Sequence, residues 1–212
     1  MTSGDAPEEG RIPDSTVRRI SGYLRILEDL TAAGARTVSS YELARRAGAT
    51  PAQVRKDLSL FGQFGKRGTG YHIGQLHDEV KKILGLNRHW RVCLVGAGNL
   101  AHALFAYREF AREGFQIEAI FDNDPEKIGQ DWNGLSVLSV ARMVDQVRRR
   151  DLEIGLITTP AAAAQEVADS LVRAGVKGIL NFAPRKLFVP EGTRLRNVNL
   201  AIELESLSFF LK

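Results

Sequence analysis

A run of short amphipathic helices closing on a glycine-rich turn, a glycine loop between an apolar strand and a helix, and the strand–helix alternation that follows predict an α/β chain in two parts. The first part reads as a winged helix-turn-helix domain, the second as a parallel-sheet Rossmann domain. The expected boundaries are an unstructured leader at 1–13, the winged helix at 14–85, the Rossmann domain at 86–197 and a C-terminal helix at 198–212.

In the first part, Asp14 or Ser15 caps a helix whose apolar positions Val17, Ile20, Leu24, Leu27 and Leu30 recur at gaps of three and four, and Gly34 stops it. Ser39 with Glu42 three residues later is a capping box for a second helix ending at Gly48. Thr50 followed by Pro51 starts a third helix, the strongest helix start in the chain. Two short helices joined by the Gly48–Thr50 turn have helix-turn-helix spacing. The third carries Gln53, Arg55, Lys56 and Ser59 on its polar side and Val54, Leu58 and Phe61 on its apolar side. Five glycines within 61–74 suit a hairpin or wing with Lys66 and Arg67 at its tip, and Tyr71 reads as an aromatic anchor inside it. A further amphipathic helix is expected over 75–84, before a linker at 85–89.

In the second part, strands are expected at 91–95, 117–121, 135–138, 154–158 and 178–181, and helices at 99–112, 140–149 and 162–174. Continuous apolar strands alternating with helices indicate a parallel sheet covered on both faces. The tail repeats Leu200, Leu204, Leu207 and Leu211 at helical spacing, with Phe209 and Phe210 beside them; such a helix needs a surface to pack on, and a second subunit is the reading preferred.

Composition narrows the function classes. The chain has 44% hydrophobic residues, a net charge of +4 and one cysteine, Cys93. No apolar run is long enough to span a membrane. The acidic N-terminus lacks the form of a signal peptide, and one cysteine cannot build a disulfide framework; the expected location is the cytoplasm. Between Arg36 and Arg67, seven basic residues face two acids, the electrostatic footprint of a polyanion-binding surface. Arg55 and Lys56, supported by Gln53 and Ser59, are the candidates to reach bases and phosphates from the third helix, and Lys66 and Arg67 to reach an adjacent groove.

GAGNLA, Gly96 to Ala101, follows a strand and opens a helix, the context a dinucleotide loop requires. Gly96 permits the turn, Gly98 lets the pyrophosphate approach, and Ala101 keeps the helix against the sheet. The phosphates would rest on the positive end of the helix. Asp122, closing the second strand of this part, is placed to accept ribose hydroxyls and repel a 2′-phosphate, which favours NAD(H) over NADP(H). His72, His77, His89 and His102 show no metal-ligand spacing, so no metal is expected. Cys93, Trp90 and Trp132 read as packing residues.

QVRKDLSLFGQFGKRGTGY (53–71), the glycine loop, FDNDPEKIG from Phe121 and GILNFAP from Gly178 together resemble the Rex family of redox-sensing transcriptional repressors, over nearly the whole chain. The resemblance implies a homodimer whose C-terminal helix is exchanged between subunits. It implies binding to palindromic operator DNA when NADH is scarce, release when NADH binds, and NAD+ as a weaker competitor. Arg55 and Lys56 fall on DNA-contact positions, and Lys66, Arg67 and Gly68 on the wing. Gly96, Ala97, Gly98, Asn99, Leu100 and Ala101 fall on the pyrophosphate loop, and Asp122 on the ribose acid. Thr159, Pro160 and Tyr107 fall near the nicotinamide, and Asn181 to Pro184 on a segment beside the cofactor. Arg25 falls on an arginine that pairs across the dimer. The chain departs from the family at Ala101, where glycine is common, and at Asn199, where the partner of the Arg25 position is often aspartate; a weaker or rewired switch is expected.

An NAD-dependent dehydrogenase is the alternative. No Tyr-x-x-x-Lys spacing supports it, since Tyr41 is followed at that offset by Arg45 and Tyr107 by Ala111. It would also leave the basic winged helix without a use, so no enzyme activity is expected. A DNA-binding regulator that senses another adenine nucleotide is the third reading.

Overall fold

The structure is a computed structural model that describes residues 12–65 and 69–211. It divides into two compact units, Met1–Arg88 and His89–Lys212.

In the first unit, α1 (Asp14–Ala32) buries Ile20, Tyr23, Leu24, Leu27 and Leu30 as one stripe and ends before Gly34 at φ +78°. After the short β1 (Thr37–Val38), α2 (Ser40–Ala47) is capped by Ser39 Oγ, which accepts the Glu42 amide at 3.0 Å, and Gly48 closes it in the left-handed conformation. Thr50 Oγ1 caps α3 (Pro51–Ser59) through the Gln53 amide at 3.1 Å. Then come β2 (Tyr71–His72) and α4 (Ile73–Ile83), which begins two residues earlier than its sequence pattern indicates. The glycine-rich run does not pair with itself among the described residues: β2 pairs antiparallel with β1, so the strand before α2 closes this layer. Gly70 explains the tight approach, because a Cβ there would lie 2.6 Å from the Val38 carbonyl oxygen. Tyr71 is buried with the helices in one apolar core.

The second unit is a seven-stranded sheet in the order β5-β6-β4-β3-β7-β8-β9. Its strands are β3 (Trp90–Val95), β4 (Phe115–Asp122), β5 (Asp131–Trp132), β6 (Leu135–Ser139), β7 (Ile154–Ile157), β8 (Gly178–Asn181) and β9 (Arg194–Asn197). All neighbouring pairs are parallel except β5 with β6. Residues alternate between two cores. Val92, Leu94, Ile120 and Leu156 join Ala101 of α5 (Asn99–Ala106) on one face. Cys93, Val95, Phe121 and Ile157 join α7 (Met143–Arg149) and α8 (Ala161–Ala174) on the other. The central β3 has β4 on one side and β7 on the other, so the chain reverses its winding direction there and opens a crevice at the strands' carboxyl ends.

Two features differ from the sequence reading. The helix expected over 99–112 breaks at Tyr107 (φ −78°, ψ 94°) and resumes as α6 (Glu109–Arg112); no proline or glycine marks the break. The strands β5 and β9 carry little apolar pattern; β9, Arg-Leu-Arg-Asn, is an edge strand held by backbone pairing with β8. The tail forms α9 (Leu200–Phe210), none of whose residues is buried: Leu204, Phe209 and Phe210 are each more than two-thirds exposed.

Candidate functional site

The crevice is built from strand ends. Gly96, just past β3, has φ +99°, and a Cβ on it would lie 2.9 Å from the Thr158 carbonyl carbon and the Thr159 nitrogen. This glycine is demanded both by backbone conformation and by contact with the end of β7. Gly98 differs: its φ of −96° and ψ of −171° suit any residue, and a Cβ there would meet nothing within 4 Å. Neither its backbone nor its neighbours require glycine; it keeps clear the open space in front of the loop. No side chain caps the N-terminus of α5, so its first-turn amides remain available for an anion. Ala101 is fully buried against the sheet.

Asp122 ends β4 and is 5% exposed. One carboxylate oxygen accepts the Ala97 amide at 2.5 Å and the other the Asp124 amide at 2.8 Å. Lys127 Nζ stands 3.5 Å away and also faces Asp124. Burial alone would raise the carboxyl, but the two amides and the Lys127 charge outweigh it and hold it below the usual carboxylate range. Sequence reasoning placed this acid for the ribose; the structure adds that it organises the glycine loop.

From β7, the Thr158 hydroxyl donates toward the carbonyls of Val95 and Gly96 (3.0 and 2.8 Å), which ties the two strand ends together. The adjacent Thr159 hydroxyl is buried with no hydrogen-bond partner among the described residues. Pro160 caps α8. Asn181, at the end of β8, is fully buried. Its Nδ2 faces the carbonyls of Ala183 and Arg185 and the Asn197 amide oxygen, and its Oδ1 accepts the Ala183 amide at 3.0 Å. It shapes the Phe182–Pro184 turn from inside.

The crevice thus gathers Gly96–Ala101, Asp122, Thr159 and Pro160 at the carboxyl ends of parallel strands, with Asn181 supporting the next one. Tyr107 is half exposed at the far end of α5, its ring 5.2 Å edge-on from Phe110. Asn199 caps α9 by accepting the Ala201 amide at 3.0 Å. Arg25 pairs with Glu28 on the same helix at 2.9 Å. His102 stacks on Trp132 with ring centroids 4.6 Å apart. Burial pushes the Cys93 thiol up to about 12, so it is no thiolate nucleophile near neutrality. Among the described residues no group of three or more His, Cys, Asp or Glu is placed to hold a metal, and no helix is long and apolar enough to cross a membrane.

In the first unit, α3 presents Arg55, Lys56 and Ser59 to solvent. Arg55 Nη1 donates to Ser40 Oγ at 3.0 Å, and the Ser59 hydroxyl turns back to the Lys56 carbonyl at 2.8 Å. Gln53 is half buried, its amide nitrogen 2.7 Å from Asp57 Oδ1. Lys66, Arg67 and Gly68 lie outside the described residues. Sequence reasoning counted Asp57 only as one of two acids in the basic segment and gave it no role. It is 1% exposed, ion-paired to Arg19 through Nε and Nη2 (2.6 and 2.7 Å), and it accepts the Tyr23 hydroxyl at 2.9 Å. Its signal was available: it lies three residues after Val54, on the inward face of α3, while Arg19 and Tyr23 stand one turn apart on α1.

Two family models match the chain: a putative DNA-binding protein N-terminus over residues 11–59 and a CoA binding domain over 87–185. The chain is 51% identical to the redox-sensing transcriptional repressor Rex of Desulfitobacterium hafniense over 94% of this chain and 95% of that one. It is 51% identical to the Rex of Carboxydothermus hydrogenoformans over 95% and 97%. Among solved structures, it is similar to the Rex-family repressor RSP in complex with NAD+ and operator DNA, with a TM-score of 0.91 and 38% identity over 94% of this chain and 92% of that one. The complex of RSP with NADH matches with a TM-score of 0.88 and 36% identity over 95% and 94%.

Proposed function

Because the chain belongs to the Rex family of redox-sensing transcriptional repressors, we propose that it binds palindromic operator DNA as a homodimer and leaves it when NADH occupies the crevice, so that it reports the NADH/NAD+ ratio to transcription in the cytoplasm. The observation that carries the ligand half is Gly98: a glycine without a conformational or packing reason, in front of an uncapped helix N-terminus. A pyrophosphate needs such a bare face. The buried, unpartnered Thr159 hydroxyl is a second group that awaits a ligand.

The chain's residues then divide the work. The amides of Asn99, Leu100 and Ala101 hold the pyrophosphate, and Asp122 locks the Ala97 amide while its carboxylate faces the ribose. Thr159 and Pro160 line the nicotinamide side, Asn181 keeps the adjoining turn in shape, and Tyr107 joins the closed state. Arg55 and Lys56 contact DNA, with Ser59 beside them and Lys66, Arg67 and Gly68 at the wing. The apolar face of α9 is covered by the partner copy, because an eleven-residue helix without packing is marginal in water. Arg25 and Asn199 form the switch between subunits.

When bound, the reduced dinucleotide supplies binding free energy that differs between the DNA-competent and DNA-incompetent dimers. The coupling is reciprocal, so operator DNA weakens NADH binding by the same factor. The neutral dihydronicotinamide enters an apolar pocket without the desolvation cost of the cationic ring. The test is the affinity of the full chain for NADH and NAD+, each with and without operator duplex. Tighter NADH binding that DNA weakens supports the reading; equal affinities indifferent to DNA refute it.

A further inference from the structure

We propose that Asp57, buried beneath α3, sets which base pair the recognition helix accepts by holding the Gln53 amide in one orientation. The inference rests on the reading of α3 as the helix that enters the major groove.

The two ends of a glutamine amide have nearly the same shape and opposite hydrogen-bonding character, so an unrestrained Gln53 could present either to a base. Asp57 removes the choice. An ionised carboxylate only accepts, so the amide atom 2.7 Å from its Oδ1 must be Nε2. The carboxylate itself has no freedom to turn. Oδ1 takes Arg19 Nη2 as well as Gln53, and Oδ2 takes Arg19 Nε and the Tyr23 hydroxyl. Four donors fill its lone-pair sites, and its 1% exposure excludes Asp57 from touching DNA. Burial would favour the protonated acid, but the bonds from Arg19, Tyr23 and Gln53 keep it ionised.

Gln53 is the third residue of α3, in the first turn, the part of a recognition helix that meets base edges. With one Nε2 hydrogen on Asp57, the second hydrogen and Oε1 remain, and Oε1 has no hydrogen-bond partner among the described residues. These two groups match N7 and N6 of an adenine, whereas an inverted amide would face the acceptors of guanine or thymine. Asp57 is therefore a positioning residue for operator specificity, and Arg19 and Tyr23 on α1 hold it in place.

The experiment uses the full chain and a palindromic duplex that the wild type selects from a random pool, with every base pair then substituted in turn at fixed salt. Gln53→Leu and Asp57→Asn should flatten the preference at the same A·T pair, by about fivefold or more. The double variant should be no worse there than either single one. Retained binding of NADH and of random-sequence duplex identifies a folded variant. Should Asp57→Asn not fold, Gln53→Glu replaces the inward donor with a second carboxylate facing Asp57 and must lose the same preference. Base preferences unchanged in Gln53→Leu, or kept in a folded Asp57→Asn, overturn the proposal and leave DNA binding standing. A wild type that selects no duplex overturns the DNA-binding reading itself.

Discussion

The Asp122 carboxylate accepts the backbone amide of Ala97 at 2.5 Å, which joins the end of β4 to the glycine loop after β3. The acid and the loop are thereby one structural unit, and a change in either reaches the other.

That relationship has a pH signature. Asp122 and Asp57 both titrate below their ordinary range in the folded chain. A carboxyl depressed by folding adds stability that is complete above its unfolded value, near 4, and is lost as pH falls through the folded value. Thermal unfolding followed downward from pH 6 should show stability falling below about pH 4, and Asp122→Asn should flatten part of that fall. The same variant should weaken NADH binding at pH 7. An acid limb that is unchanged in Asp122→Asn contradicts the assignment.

The two glycines of the loop separate folding from binding. Gly98→Ala should change stability by less than about 1 kcal/mol, because its backbone and surroundings accept a Cβ, and yet abolish most NADH affinity. Gly96→Ala should destabilise by more than about 1 kcal/mol, through positive φ and contact with Thr158 and Thr159. Thermal unfolding and NADH titration of both variants check this; loss of stability in Gly98→Ala would mean the open space is not what its glycine serves.

The exposed face of α9 should be a dimer surface. Leu204→Glu with Leu207→Glu places two charges on that face and should yield a monomer with much weaker operator affinity, while each compact unit stays folded. Sedimentation of wild type and variant decides it: a wild-type monomer, or an undisturbed variant dimer, runs against the proposal.

Asn199→Asp keeps the cap of α9, since aspartate and asparagine cap equally well. On the proposed pairing of Arg25 with this position across the dimer, it adds a charge worth about 1 kcal/mol. Operator release should need several-fold less NADH than in the wild type. An unchanged release curve means that Asn199 does not limit the switch.

Much of this architecture was legible because its signals are local. Ser39 with Glu42 and Thr50 with Pro51 mark helix starts through bonds spanning three residues, and the structure contains both caps. The glycine loop identified itself by its place between a strand and a helix. What escaped depends on distant partners. Val38 becomes a strand residue only through Tyr71, and Arg194–Asn197 only through β8. Asp57 looked like one more charge on a basic helix until α1 brought Arg19 and Tyr23 to it. The break at Tyr107 has no local marker, and Lys66, Arg67 and Gly68 lie outside the described residues.

Operator binding at fixed salt, titrated with NADH and separately with NAD+, decides whether the chain reads the NADH/NAD+ ratio. NADH should release the operator at far lower concentration than NAD+. Binding indifferent to both dinucleotides, or equally sensitive to each, would contradict it.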